Sequence, residues 1–282
     1  MLLPAVCRAQ ESAYPFKSGE KVQYIIHYKW GTKTDIGAVD VSLTKKEESG
    51  RKPYYYVRAD IATYKFWDSF YKVRDLYESK FYVENLTPFY FHRDVNEGEF
   101  WAKNHYYWSN GGKTLRAVVD KRNRPHRDTS FTCNAVIRDM FNLFFACRGY
   151  DVQKLLSGKV ACYNVAIDKD LLDIRIKYVG KEVKKISDLG SFNALKFAVS
   201  VDAIKMDNDS EAGRSKFSLD MAEVDTKRED NVFYGDGKIF FWLTDDENHI
   251  PIFFTAPVAV GSINGRVGKM SGLKYPLTSK IN

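Results

Sequence analysis

Apolar residues recur at every second position through much of the chain. Val22, Tyr24, Ile26, Tyr28 and Trp30 alternate with Gln23, His27 and Lys29, with Ile25 the one apolar intruder. Leu172, Ile174, Ile176 and Tyr178 repeat the rhythm against Asp173, Arg175 and Lys177. Tyr55, Val57, Ala59 and Ile61 do so against Tyr56, Arg58 and Asp60. Successive side chains of a strand point to opposite faces, so each segment reads as an antiparallel strand with one buried and one wet side. Asn110-Gly111-Gly112, between Phe100–Trp108 and Leu115–Val119, predicts a hairpin because these residues tolerate positive φ. Gly235-Asp236-Gly237 and Asp245-Asp246-Glu247-Asn248 predict two further turns, before Ile239–Leu243 and Ile250–Phe254. The polar stretch from Asp207 to Arg214 reads as an exposed loop.

One segment departs from this period. From Asn134 to Arg148 the apolar positions are 136, 137, 140, 141, 144, 145 and 147, which predicts an amphipathic helix of about four turns. Ser130, Thr132 or Asn134 suits its N-cap, Arg148 its last turn and Gly149 its C′ position. The expected fold is therefore mainly β: an antiparallel barrel-like, half-barrel or sandwich sheet with one helix at about 134–148 that plugs or covers it. Residues 10–282 read as one mostly-β domain, with two β halves flanking the helix as the other division.

Composition narrows the class. Of 282 residues, 44% are hydrophobic and 28% charged, which fits a folded domain rather than disorder. The 18 Tyr and 19 Phe either fill a thick core or line a pocket for an apolar ligand. A net charge of +7 is modest for this length and does not by itself point to nucleic acid. The densest basic run, Lys121, Arg122, Arg124, His126 and Arg127 around Pro125, reads as an exposed loop. It lacks the interleaved aromatics of a stacking platform, so nucleic acid is not an expected partner. No run of 18 apolar residues occurs, so no transmembrane helix is expected. The charged face of Asp173, Arg175 and Lys177 argues against an outer-membrane barrel. Leu2 to Val6, followed by Cys7, Arg8 and Ala9, looks like the remnant of a secretory signal over residues 1–9.

Candidate chemistry is sparse. Nucleophile-elbow, P-loop, zincin and dinucleotide signatures are absent, and the five histidines (27, 92, 105, 126 and 249) are scattered. Cys133, Cys147 and Cys162 match no zinc spacing; they read as free thiols or as one Cys133–Cys147 or Cys147–Cys162 bridge. No metal or cofactor is expected. Asp75 shares the apolar phase of Val73 and Tyr77, and Arg93 that of Phe89 and Phe91. The two are the candidate ligand-binding residues, and a buried Asp75–Arg93 ion pair is the structural reading of the same positions. That pair predicts that Asp75→Asn costs stability. Asp245 and Asp246 sit at a turn and lack the frame of a calcium-binding loop.

Several motifs together resemble one family. Phe16-x-x-Gly19-Glu20 and Tyr24-x-Ile26-x-Tyr28-x-Trp30-Gly31 open the pattern. Tyr71-x-Val73-Arg74-Asp75-x-Tyr77-Glu78-Ser79 and Tyr178-x-Gly180-Lys181-Glu182 continue it. Trp242-Leu243-Thr244-Asp245-Asp246-x-Asn248-x-x-Pro251 and Val260-Gly261-Ser262 close it. The chain resembles an exported bacterial family, domain of unknown function 3108. The resemblance implies export to the envelope and a mostly β structure, and transfers no catalytic residue. The functional expectation is a non-catalytic exported protein, periplasmic or envelope-associated, that binds a lipid or acyl chain or an envelope protein partner. The alternative is an envelope glycan- or ester-processing hydrolase using Asp75 or the Asp245/Asp246 pair.

Overall fold

A computed structural model of the chain describes residues 14–30, 32–149, 155–168, 170–203, 239–257 and 262–281. The alternating segments form β1 (Lys21–Trp30), β2 (Thr32–Lys46) and β3 (Tyr54–Thr63), followed by a one-turn helix α1 (Lys65–Asp68). Next come β4 (Arg74–Tyr82), β5 (Pro88–Glu97), β6 (Phe100–Ser109), β7 (Thr114–Lys121) and β8 (Arg127–Thr132). The short β9 (Ile137–Arg138) leads into α2 (Met140–Gly149). The rest is β10 (Ala161–Ile167), β11 (Asp170–Ile186), β12 (Gly190–Ala203), β13 (Ile239–Thr244), β14 (Pro251–Pro257), β15 (Ser262–Ser271) and β16 (Lys280–Ile281).

These strands make one sheet. Its order is β8-β7-β6-β5-β4-β3-β2-β1-β15-β14-β13-β12-β11-β10-β9, with β16 paired to β12. Neighbours are antiparallel except β9 and β10. Early and late chain meet mid-sheet, where β1 pairs with β15 from Lys21↔Ser271 to Lys29↔Ser262. The sheet is barrel-like but not closed. Its ends are β8 and β9, and the Trp108 Nε1 group reaches across to donate to the Ile137 carbonyl at 2.8 Å.

Alternate side chains of β3 to β7 are buried: Val57 and Ala59, Tyr77 and Phe81, Phe91 and Val95, Ala102 and Tyr106, Leu115 and Ala117. α2 lies on this face. Its Phe145 ring sits 4.9 Å from Phe16 and 5.8 Å from Phe81, and Phe141 sits 5.6 Å from Tyr77. The rings here fill a core under the helix. Among the described residues, no helix is long and apolar enough to cross a membrane.

The structure departs from the expected pattern in three places. Burial in β1 departs from strict alternation: His27 is buried while Tyr28 is half-buried, beside a register shift with β2 between Ile26 and His27. The extra residue of this bulge, Ile36, lies on β2. The helix starts six residues later than expected, because Ile137 and Arg138 pair with Asn164 and Val165 as β9. Asp139, not Ser130, Thr132 or Asn134, is its cap, and its Oδ1 accepts the amides of Phe141 and Asn142 at 2.9 and 2.8 Å. Cys133, Cys147 and Cys162 are free, in line with the free-thiol reading, and neither alternative bridge forms. The turns at Asn110–Gly112 and Asp245–Asn248 join β6 to β7 and β13 to β14, as the sequence predicts. Residues 1–9, the Asp207–Arg214 stretch and the Gly235–Gly237 turn lie outside the described residues.

Candidate functional site

In an up-and-down antiparallel sheet, alternate connections share one end. The β3–β4, β5–β6 and β7–β8 connections therefore lie together. They also touch: the Gly98 amide donates to the Lys72 carbonyl at 2.7 Å, and the Arg122 amide to the Trp101 carbonyl at 3.0 Å. The β10–β11 turn reaches this end from the other half of the sheet and plants Asp168 against β5, β6 and β7. Asp168 has φ of +54°, a left-handed geometry that Asp tolerates better than most residues.

The Asp168 carboxylate is held by two cations. Arg93 Nη2 donates to Oδ1 at 2.5 Å and Lys121 Nζ to Oδ2 at 2.7 Å. Asn104 Nδ2 adds a bond to Oδ1 at 3.0 Å, and the Tyr106 hydroxyl donates to the Asp168 carbonyl at 2.7 Å. Burial pushes the Asp168 carboxyl up, but Arg93, Lys121 and Asn104 outweigh it and hold the group below the usual carboxylate range. Burial likewise works against the Arg93 guanidinium, and the Asp168 charge more than restores it. This constellation clips one half of the sheet to the other. Arg93, Asn104 and Lys121 occupy inward phases of three adjacent strands, a polar stripe legible in the sequence; their shared partner, 47 to 75 residues away, is not.

Arg93 is therefore buried as expected, but its salt bridge is with Asp168 and not with Asp75. Asp75 also points inward and is buried. Its Oδ1 accepts the Asn96 amide at 2.8 Å. Burial raises its pKa to about 6; the Asn96 amide counteracts and the nearby Glu97 carboxylate adds to the rise. The physical reason for the altered pairing is supply: the β10–β11 turn brings a carboxylate to Arg93 that no local pattern announces. Beside Asp75 lies an open cleft of about 270 Å³ lined by Asp60, Ile61, Arg74, Leu76, Asp94 and Asn96 among others.

The Asp245/Asp246 pair is committed elsewhere. Asp245 pairs with Lys181 at 2.8 Å. Asp246 Oδ1 accepts the Thr244 hydroxyl and the Asn248 amide, and Oδ2 accepts the Ser279 hydroxyl at 2.6 Å. This is a hydrogen-bonded turn rather than a pair of carboxylates facing a common substrate. The basic run is split: Lys121 turns inward to Asp168, while Arg122, Arg124, His126 and Arg127 stay exposed.

A feature the sequence reading missed lies at the same end. Tyr64, Phe66, Phe70 and Tyr71 around α1 are 40, 68, 71 and 52% exposed. Phe100 and Trp101, on the neighbouring β5–β6 hairpin, are 36 and 40% exposed. The Phe66, Trp67 and Phe70 rings lie 5.2 to 5.7 Å apart, and Trp67 Nε1 is anchored to the Asp35 carbonyl at 3.0 Å. The signal was present: five aromatics in eight residues, Tyr64 to Tyr71, with no two-residue period to bury them.

Similarity to known proteins is confined to family and fold. No curated protein is similar to the chain in sequence. A DUF1849 protein from Brucella abortus, described as β-barrel-like, superposes with a TM-score of 0.49 at 8% identity over 90% of this chain and 97% of its own. A candidate exported protein with a YmcC-like fold from Bacteroides fragilis gives a TM-score of 0.35 at 7% identity, covering 92% and 98%. A candidate lipoprotein from Parabacteroides distasonis gives 0.34 at 7%, covering 92% and 97%. The profile of one family, described as "Protein of unknown function (DUF3108)", matches residues 23–267, nearly the whole β sheet. The chain belongs to the DUF3108 family.

Proposed function

We propose that the protein is a non-catalytic protein of the bacterial envelope, exported to the periplasm or its bounding membranes, that binds a hydrophobic partner. The leader-like residues Leu2 to Ala9 support export. The observation that carries binding is the contrast between interior and rim. Rings of α2 and the sheet fill the space beneath the helix, whereas Phe66 and Phe70 stand about two-thirds exposed at one end. Apolar surface left in water is costly, and contiguous exposed patches mark interaction sites. These exposed rings support a binding surface at the aromatic rim rather than in a tunnel through the sheet. An acid–base role for Asp75 in glycan or ester hydrolysis draws on its pKa of about 6 and the open cleft beside it.

The test is a titration of the full protein with a zwitterionic lysophospholipid below its micellar concentration, followed by tryptophan fluorescence, beside an assay with a chromogenic acyl ester. Saturable binding that Phe66→Ser/Phe70→Ser abolishes is the expected result. Ester turnover that Asp75→Asn abolishes, or binding indifferent to the double variant, would overturn the reading.

A further inference from the structure

The rim carries charge as well as rings, and the charge names the partner. Of ten large hydrophobic residues exposed among those described, six belong to this end: Tyr64, Phe66, Phe70, Tyr71, Phe100 and Trp101. The β3–β4 connection also displays Lys65 and Lys72, and the neighbouring β7–β8 connection displays Arg124 and Arg127; none of the four has an ion-pair partner among the described residues. Two of the acids nearby are spent on cations, Asp68 on Arg74 at 2.6 Å and Glu99 on Arg122 at 3.2 Å, while Asp120 meets the His126 ring at 2.7 Å. Glu97 is set against the Tyr71 hydroxyl at 3.4 Å, so the four unpaired cations still outnumber the unpaired acids. This end is therefore net positive, with four cations that lack an ion-pair partner beside a protruding aromatic hairpin.

Resting on the rim-binding reading, we infer that this end docks on an anionic phospholipid bilayer, with Phe66 and Phe70 inserted at the level of the acyl boundary and Lys65, Lys72, Arg124 and Arg127 on lipid phosphates. Tyr and Trp favour the membrane–water boundary because each ring is apolar with one polar edge; Tyr64, Tyr71 and Trp101 flank the two phenylalanines in that manner. Lysine and arginine beside such rings add attraction to an anionic leaflet, each contributing separately and each screened by salt. The hairpin is also built to present its rings. The Tyr64 amide donates to the Ile36 carbonyl at 3.0 Å, and Thr63 Oγ and Arg74 hold Asp68 at 2.6 Å, so the backbone of α1 is tied down while its rings face out. A protein partner would also cover rings, but it would need acids matched to each of these cations, whereas an anionic leaflet supplies phosphates wherever they fall.

The experiment is co-sedimentation of the full protein with vesicles of phosphatidylcholine alone and of equimolar phosphatidylcholine and phosphatidylglycerol. Tryptophan quenching by lipids brominated along the chain runs in parallel. Binding to the anionic vesicles should exceed binding to the neutral ones by about tenfold or more, and should weaken with added salt. Phe66→Ser/Phe70→Ser should lower it by at least about tenfold and remove the quenching. Lys65→Glu/Lys72→Glu should erase the preference for anionic vesicles. All these side chains are exposed, so circular dichroism and melting temperature should match the parent. Equal binding to both vesicle types, or anionic binding without chain-level quenching, overturns the inference. If the lysophospholipid still binds in that case, the rim-binding reading stands without it.

Discussion

Arg148 of α2 clasps Glu20, the residue just before β1, with two nitrogens at 2.5 and 2.9 Å, and both side chains are almost completely buried. The guanidinium also lies over the rings of Phe16, Phe144 and Phe145, and its Nη2 donates to the Asn248 carbonyl at 3.1 Å. A charge this deep is tolerable only while paired. Glu20→Ala should therefore cost about 3–5 kcal/mol in urea unfolding. Pairing it with Arg148→Met should recover part of that loss, since the orphaned charge goes too.

Asp75 leads to a prediction opposite in sign to the ion pair expected from sequence. Its folded pKa of about 6 lies above the ordinary 3.8, so ionising it works against the fold. The contribution is whole below pH 3.8 and is lost as pH rises through about 6. Asp75→Asn keeps an acceptor for the Asn96 amide and carries no charge. At pH 7 it should raise stability by about 1–2 kcal/mol, and near pH 4 it should match the parent. Melting temperatures at the two pH values decide this.

Asp168 titrates the other way. Its carboxyl is held below the usual range, so its contribution is full above that range and disappears as pH falls through the depressed value. Asp168→Asn leaves Arg93 and Lys121 without their counter-ion, and a loss of about 3–5 kcal/mol is expected at neutral pH. The gap between variant and parent should narrow in acid, as read by equilibrium unfolding from neutral pH downward.

Gly265 of β15 pairs opposite Phe254 of β14, and a Cβ there would meet the Phe254 ring at 2.0 Å. Gly265→Ala should destabilise by about 1–3 kcal/mol through overpacking. Phe254→Leu in the same chain should relieve much of it, a coupling that a double-mutant cycle measures.

What could be read from the sequence followed the reach of each interaction. Two-residue alternation in β3, β4 and β11 depends on neighbours along the chain, and it located those strands. The slip at Ile26/His27 depends on how β2 lies beside β1, which alternation in one strand cannot reveal. The start of α2 was displaced because Val136 and Ile137 happen to continue the helical spacing, yet Ile137 finds a strand partner in Asn164. Arg93 and Asp75 were recognised as inward-facing, but the carboxylate that claims Arg93 comes from a turn 75 residues on. The aromatic hairpin escaped for another reason: dense rings read as core or pocket lining, although Tyr64 to Tyr71 has no two-residue period that would bury them.

The gap between β8 and β9 sets a condition on how copies of this molecule coexist. A sheet that stops short of itself leaves bare amides and carbonyls along its terminal strand, an invitation for another chain to add on. Here β9 offers only two residues, and β8 reads Arg127, Asp128, Thr129, Ser130, Phe131, Thr132, with Phe131 turned in and Asp128 salt-bridged to Arg116. Hydrophilic groups thus guard the margin that geometry leaves unsealed, and crowding need not zip neighbours into fibres.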